Sequence, residues 1–99
     1  MKLISYATKP GRADENRSRI EAVFAALNES KPDNLSYFVV QTGEGEFFHV
    51  VDATPEALDA LQAMPAFREF SGTVADRQAA PSNRRDAVLV GSYGAAIRQ

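Results

Sequence analysis

Apolar residues recur along this 99-residue chain in two alternating rhythms. Lys2 to Thr8 is β-prone and runs into Lys9-Pro10-Gly11, a turn signal. From Ala13 to Glu29 the period lengthens. Ile20, Val23, Phe24 and Leu27 fall at i, i+3, i+4 and i+7, the spacing of one face of an amphipathic helix. Asp14 and Glu15 sit in its first turn, where the helix dipole favours negative charge. Ser30-Lys31-Pro32-Asp33-Asn34 ends it, because Pro32 has no amide hydrogen and disfavours helix at Lys31. Leu35–Thr42 and Glu46–Asp52 are rich in Val, Phe and Tyr, and Gly43-Glu44-Gly45 joins them as a β-hairpin. Thr54-Pro55-Glu56 has the chemistry of a helix start, with Leu58 and Leu61 following on one face. Pro65 breaks or kinks that helix, and Phe67, Phe70 and Val74 continue beyond it with the spacing of core packing. After a loop from Ala79 to Arg84, Ala87–Tyr93 reads as the last strand.

The order β-α-β-β-α-β in one short domain predicts an α+β, ferredoxin-like fold over residues 1–99. Its four-stranded antiparallel sheet carries both helices on one face. A three-residue hairpin loop pairs Tyr37 with Val51, Phe38 with Val50, Val39 with His49, and Val40 with Phe48. One face of the hairpin is then Phe38, Val40, Phe48 and Val50, purely apolar and expected beneath the helices. The other is Tyr37, Val39, Gln41, Phe47, His49 and Val51. Left uncovered, that amphipathic patch asks for a second subunit, a ligand, or both. A two-residue turn would shift the register by one and mix the faces.

Composition narrows the chemistry. With 11 Lys+Arg against 13 Asp+Glu the net charge is −2, which argues against nucleic-acid or anionic-membrane partners. The absence of cysteine excludes disulfides, thiolate metal sites and cysteine nucleophiles, and one histidine leaves no His-rich metal site. No apolar run approaches the about 20 residues of a membrane-spanning helix. Met-Lys-Leu-Ile-Ser-Tyr lacks the apolar core and cleavage site of a signal peptide, so a cytoplasmic protein is expected.

Several segments together resemble a known superfamily. They are Tyr6-Ala7-Thr8-Lys9-Pro10-Gly11-Arg12 before an acidic helix start, Phe47-Phe48-His49-Val50-Val51-Asp52 ending a hairpin, Ala57-Leu58, Pro65-Ala66-Phe67-Arg68-Glu69-Phe70, and Val90-Gly91-Ser92-Tyr93. The pattern is similar to the dimeric α+β-barrel superfamily of antibiotic-biosynthesis-monooxygenase-like proteins, above all its small uncharacterised bacterial members, and spans nearly the whole chain. The resemblance implies a homodimer in which open sheet faces meet and enclose a small apolar cavity. It also sets limits. Where haem-degrading members carry two helix histidines this chain has Leu61 and Ala66, and the tryptophan near the end of the third strand is missing. No axial haem ligand carries over, and no cofactor is implied.

His49 is the one side chain that ordinarily titrates near neutrality. Oxygenation without a cofactor needs a base, a dry pocket and donors that stabilise the substrate anion. His49 is the candidate base, with Tyr37 and Gln41 on its expected face. Tyr6 and Tyr93 are expected on neighbouring strands as further ligand contacts, and Arg68 as a partner for an acidic group. The simpler alternatives are an interface histidine satisfied by one neighbour, packing tyrosines, and a solvated Arg68 paired with Glu69 or Asp76. The mixed charges Arg12, Asp14, Glu15, Arg17, Arg19 and Glu21 read as a solvated helix face. Two functions therefore stand: a homodimer that binds a small apolar or aromatic molecule without catalysis, and a cofactor-independent monooxygenase with His49 as general base. The missing histidines and tryptophan favour the first.

Overall fold

A computed structural model describes residues 1–94. The elements are β1 (Lys2–Ala7), α1 (Ala13–Ser30), β2 (Leu35–Thr42), β3 (Glu46–Ala53), α2 (Pro55–Ala63), α3 (Pro65–Arg77) and β4 (Asn83–Asp86). The strands form one antiparallel sheet in the order β2-β3-β1-β4. This is the ferredoxin-like arrangement, with the second helical segment split in two.

Local chemistry accounts for each boundary. α1 stops at Lys31, which takes a left-handed conformation (φ 47°) ahead of Pro32 and returns its N–H to the Leu27 carbonyl at 2.8 Å. Thr54 caps α2, its Oγ1 accepting from the Ala57 N–H at 3.2 Å. Met64 is extended between α2 and α3, and Pro65 opens α3 at the one place where a missing N–H costs nothing. In the hairpin, Gly43 adopts φ +58°, and a side chain at Gly45 would meet Thr8 Oγ1 at 2.7 Å.

The hairpin register is the one the three-residue loop predicts, with Tyr37 opposite Val51, Phe38 opposite Val50, Val39 opposite His49 and Val40 opposite Phe48. The assignment of faces is reversed. Tyr6, Phe47 and His49 are buried in one core with Ile20, Val23 and Leu27 of α1, Leu61 of α2 and Phe70 of α3, while Tyr37 and Val39 pack against it. The bare side is the apolar one, where Phe38 and Val40 are 37% and 43% exposed. Patterning by apolarity alone puts Phe38, Val40, Phe48 and Val50 inside because it treats the hydroxyls and imidazole opposite as unpaired. In the fold those groups satisfy one another, so the larger aromatic set can be buried.

The last strand also differs. β4 is the polar stretch Asn83–Asp86, paired with β1 from Ser5 opposite Asn83 to Lys2 opposite Asp86. The Ala87 N–H still reaches the Met1 carbonyl at 2.9 Å, and there β1 runs out. The predicted strand Ala87–Tyr93 therefore has no neighbour to pair with. Val88 and Val90 are 86% and 98% exposed, and Tyr93 is fully exposed.

Candidate functional site

Under the helices a line of hydrogen bonds crosses five elements. Arg77, the last residue of α3, lies fully buried. Its Nε donates to Asn16 Oδ1 of α1 at 3.0 Å, Nη1 to Thr73 Oγ1 at 2.7 Å and Nη2 to the Phe70 carbonyl at 3.4 Å. Asn16, also fully buried, turns its Nδ2 to Tyr6 Oη on β1 at 3.0 Å. Tyr6 Oη lies 2.9 Å from His49 Nε2 on β3, and His49 Nδ1 lies 2.8 Å from Tyr37 Oη on β2. Among the described residues no buried side-chain polar atom lacks a partner.

Aromatic packing closes the space around this line. The His49 ring lies against Phe70, Tyr6 and Tyr37, with ring centroids 5.6, 5.4 and 5.9 Å away, and is only 3% exposed. Phe24 packs on Tyr37 at 4.9 Å. Of two surface grooves, one of about 150 Å³ between α1 and α3 is lined by Ser18, Arg19, Ala22, Ala66, Glu69 and Phe70. The other, open and about 560 Å³, lies between the end of α3 and the loop before β4. Neither reaches His49.

Burial governs the protonation states. It lowers the His49 pKa from 6.5 to about 4, and the Arg84 charge acts in the same direction. His49 is thus a neutral imidazole at pH 7. Burial also raises Tyr37, with Tyr6 adding to the effect, and raises Tyr6 against the opposing pull of Asn16 and Arg77. Both tyrosines keep their protons. For Arg77, burial weakens the hold on its proton while Glu15 strengthens it, the carboxylate lying 3.9 Å from Nη1. Hydrogen bonds from Arg12 at 2.9 and 3.0 Å hold the Glu15 carboxyl below its ordinary range.

The structure thus brings together Tyr6, Tyr37 and His49 from the sequence-predicted set and leaves out the rest. Gln41 is exposed near the end of β2, where its Nε2 donates to the Glu44 carbonyl at 3.1 Å. Arg68 is exposed on α3, while Glu69 pairs with Arg19 at 3.2 Å. Tyr93 is on the exposed tail and not beside Tyr6. The cavity expected around His49 is filled by the protein's own aromatic side chains. Sequence reasoning missed Asn16 and Arg77. Asn16 extends the buried stripe Ile20, Val23, Leu27 backward by one turn, and Arg77 extends Phe70, Val74 forward. A polar residue on an apolar stripe was the available signal. Among the described residues no group of three His, Asp or Glu side chains is placed to hold a metal ion, and no helix is long and apolar enough to cross a membrane.

No protein-family model matches the sequence, and no curated protein matches it. Solved structures do match its shape. A candidate antibiotic biosynthesis monooxygenase from Nitrosomonas europaea superposes with a TM-score of 0.73 at 14% identity, over 94% of this chain and 91% of that one. A second protein of that description, from Caulobacter crescentus, gives 0.68 at 18% identity over 89% and 88%. Rv0793 from Mycobacterium tuberculosis gives 0.71 at 16% identity over 93% and 96%. At these identities the likeness is one of fold: a small chain with the architecture of the antibiotic-biosynthesis-monooxygenase-like proteins.

Proposed function

We propose that this protein is a homodimer that binds a small apolar or aromatic molecule between its sheets and performs no His49-dependent catalysis. One observation carries the reading: the sheet face turned away from the helices is apolar and bare. Pairing places Leu3, Ser5 and Ala7 of β1 on that face with Phe48 and Val50 of β3 and Phe38 and Val40 of β2. A contiguous apolar surface of this kind is covered in stable soluble proteins. The exposed run Val88-Leu89-Val90 that follows β4 is further apolar area that a second copy could remove from water.

The same face argues for binding over chemistry. It offers phenylalanine and valine walls around the small Ser5 and Ala7, and none of the seven side chains is an acid or base. A molecule enclosed there meets mainly apolar contacts, with Asn83 and Arg85 of β4 and Glu46 of β3 at the margins of the same face. The one histidine lies on the other side of the sheet with both ring nitrogens engaged. The oxygenase alternative, with His49 as general base, requires a substrate atom within hydrogen-bond reach of a free imidazole nitrogen. Sedimentation equilibrium tests the assembly: a 10.8 kDa species at micromolar concentration refutes it and one of twice that mass supports it. Fluorescence titration with 1-anilinonaphthalene-8-sulfonate then tests the cavity. Saturable binding that Val40→Lys abolishes is expected, and no saturation overturns the small-molecule reading.

A further inference from the structure

The five-residue line has a direction, and its donors and acceptors determine it. Arg77 has hydrogens to give and no lone pair, so the atom of Asn16 facing it is the oxygen. That orientation turns the Asn16 amide hydrogens to Tyr6 Oη, which must accept. Tyr6 is buried, and among the described residues the acceptor within reach of its own hydrogen is His49 Nε2. A neutral imidazole that accepts at Nε2 carries its hydrogen on Nδ1, and that hydrogen points to Tyr37 Oη. The opposite direction, with Tyr37 donating to Nδ1 and Nε2 donating to Tyr6, would leave the buried Tyr6 hydroxyl hydrogen without an acceptor, a desolvation cost with nothing to offset it.

We infer that Asn16 and Arg77 are positioning residues that lock His49 in the Nδ1–H form, so that the line ends on β2 in a hydrogen-bond donor, the Tyr37 hydroxyl, and not in a base. Tyr37 is the one member of the five that is not fully buried. Its hydroxyl already accepts from His49 and keeps its own hydrogen to give, with the Phe24 ring alongside. The line lies on the helix side of the sheet, away from the bare apolar face.

The test uses the fact that His49 is the only histidine. Long-range proton–nitrogen correlation on the uniformly labelled full chain at pH 7 reads which ring nitrogen carries hydrogen, with no assignment ambiguity. Nδ1–H in the wild type is expected; Nε2–H, or a rapid mixture of the two, overturns the inference. Asn16→Asp supplies the sharper arm. A carboxylate accepts from both Arg77 and Tyr6, which reverses every bond after it and moves the imidazole hydrogen to Nε2. A folded Asn16→Asp protein that retains Nδ1–H overturns the positioning role, and the wild-type spectrum decides the matter if that variant does not fold.

Discussion

Acid should unfold this protein through His49, and the size of the effect follows from where the ring sits. Free histidine titrates near 6.5, whereas the buried ring holds its proton only below about 4. The folded chain thus binds that proton about 300-fold more weakly than the unfolded chain, worth about 3 kcal/mol at 1.4 kcal/mol per tenfold. Because the unfolded state takes up the proton first, stability is fully present above pH 6.5. It falls as the pH drops toward 4, and this group costs nothing more below that. A loss of that size is a large fraction of the stability of a small domain. No compensation is at hand, since Tyr6 and Tyr37 keep their protons and the nearby charges, Arg77 and Arg84, have the same sign as the imidazolium. The assay is urea unfolding followed by circular dichroism at pH 7 and pH 4, on the wild type and on His49→Gln, whose amide has hydrogen-bonding capacity but no charge to gain. The variant starts less stable and lacks the histidine part of the slope. Glu15 and Asp86, both held below the ordinary carboxyl range, lose their contributions only at lower pH in either protein. Parallel losses in wild type and variant between pH 6.5 and 4 would refute the argument.

Three further perturbations probe other parts of the structure. Val40→Lys places a charge in the middle of the bare sheet face, and sedimentation should show the proposed dimer replaced by monomer with the circular dichroism spectrum preserved. Arg77→Leu removes a buried guanidinium that holds Asn16, Thr73 and the Phe70 carbonyl, and thermal unfolding should register a loss of about 3 kcal/mol or more. Arg77→Lys should recover only part of that, since an ammonium cannot reproduce the fork of bonds. Thr54→Ala deletes the α2 cap, a milder loss of about 1 kcal/mol by the same measurement.

Much of the architecture follows from local chemistry. The turn at Gly43–Gly45 and the two-residue alternation beside it specify the hairpin and its register, because a one-residue slip would scatter Phe and Val over both faces. Pro32, Thr54-Pro55 and Pro65 set helix ends through φ restriction and missing or satisfied amides, effects that need no distant partner. Alternation along the hairpin made Tyr37 and His49 legible on one face, whereas Tyr6 joins them only through the pairing of β1 with β3.

What alternation cannot say is which face the helices take. An amphipathic set reads as the wetter one until Asn16 and Arg77, 61 positions apart, arrive from α1 and α3 to complete its hydrogen bonds. Only tertiary structure makes that meeting, and it turns a polar liability into a buried aromatic core. It likewise decides where β4 forms. Val88-Leu89-Val90 is the better strand by composition, but β1 ends opposite Asp86 and leaves nothing for it to pair with, so the charged Asn83–Asp86 is the strand. Residue types and their spacing determined the elements; the long-range pairing of backbone and polar groups decided which side of the sheet was buried and which stretch completed it.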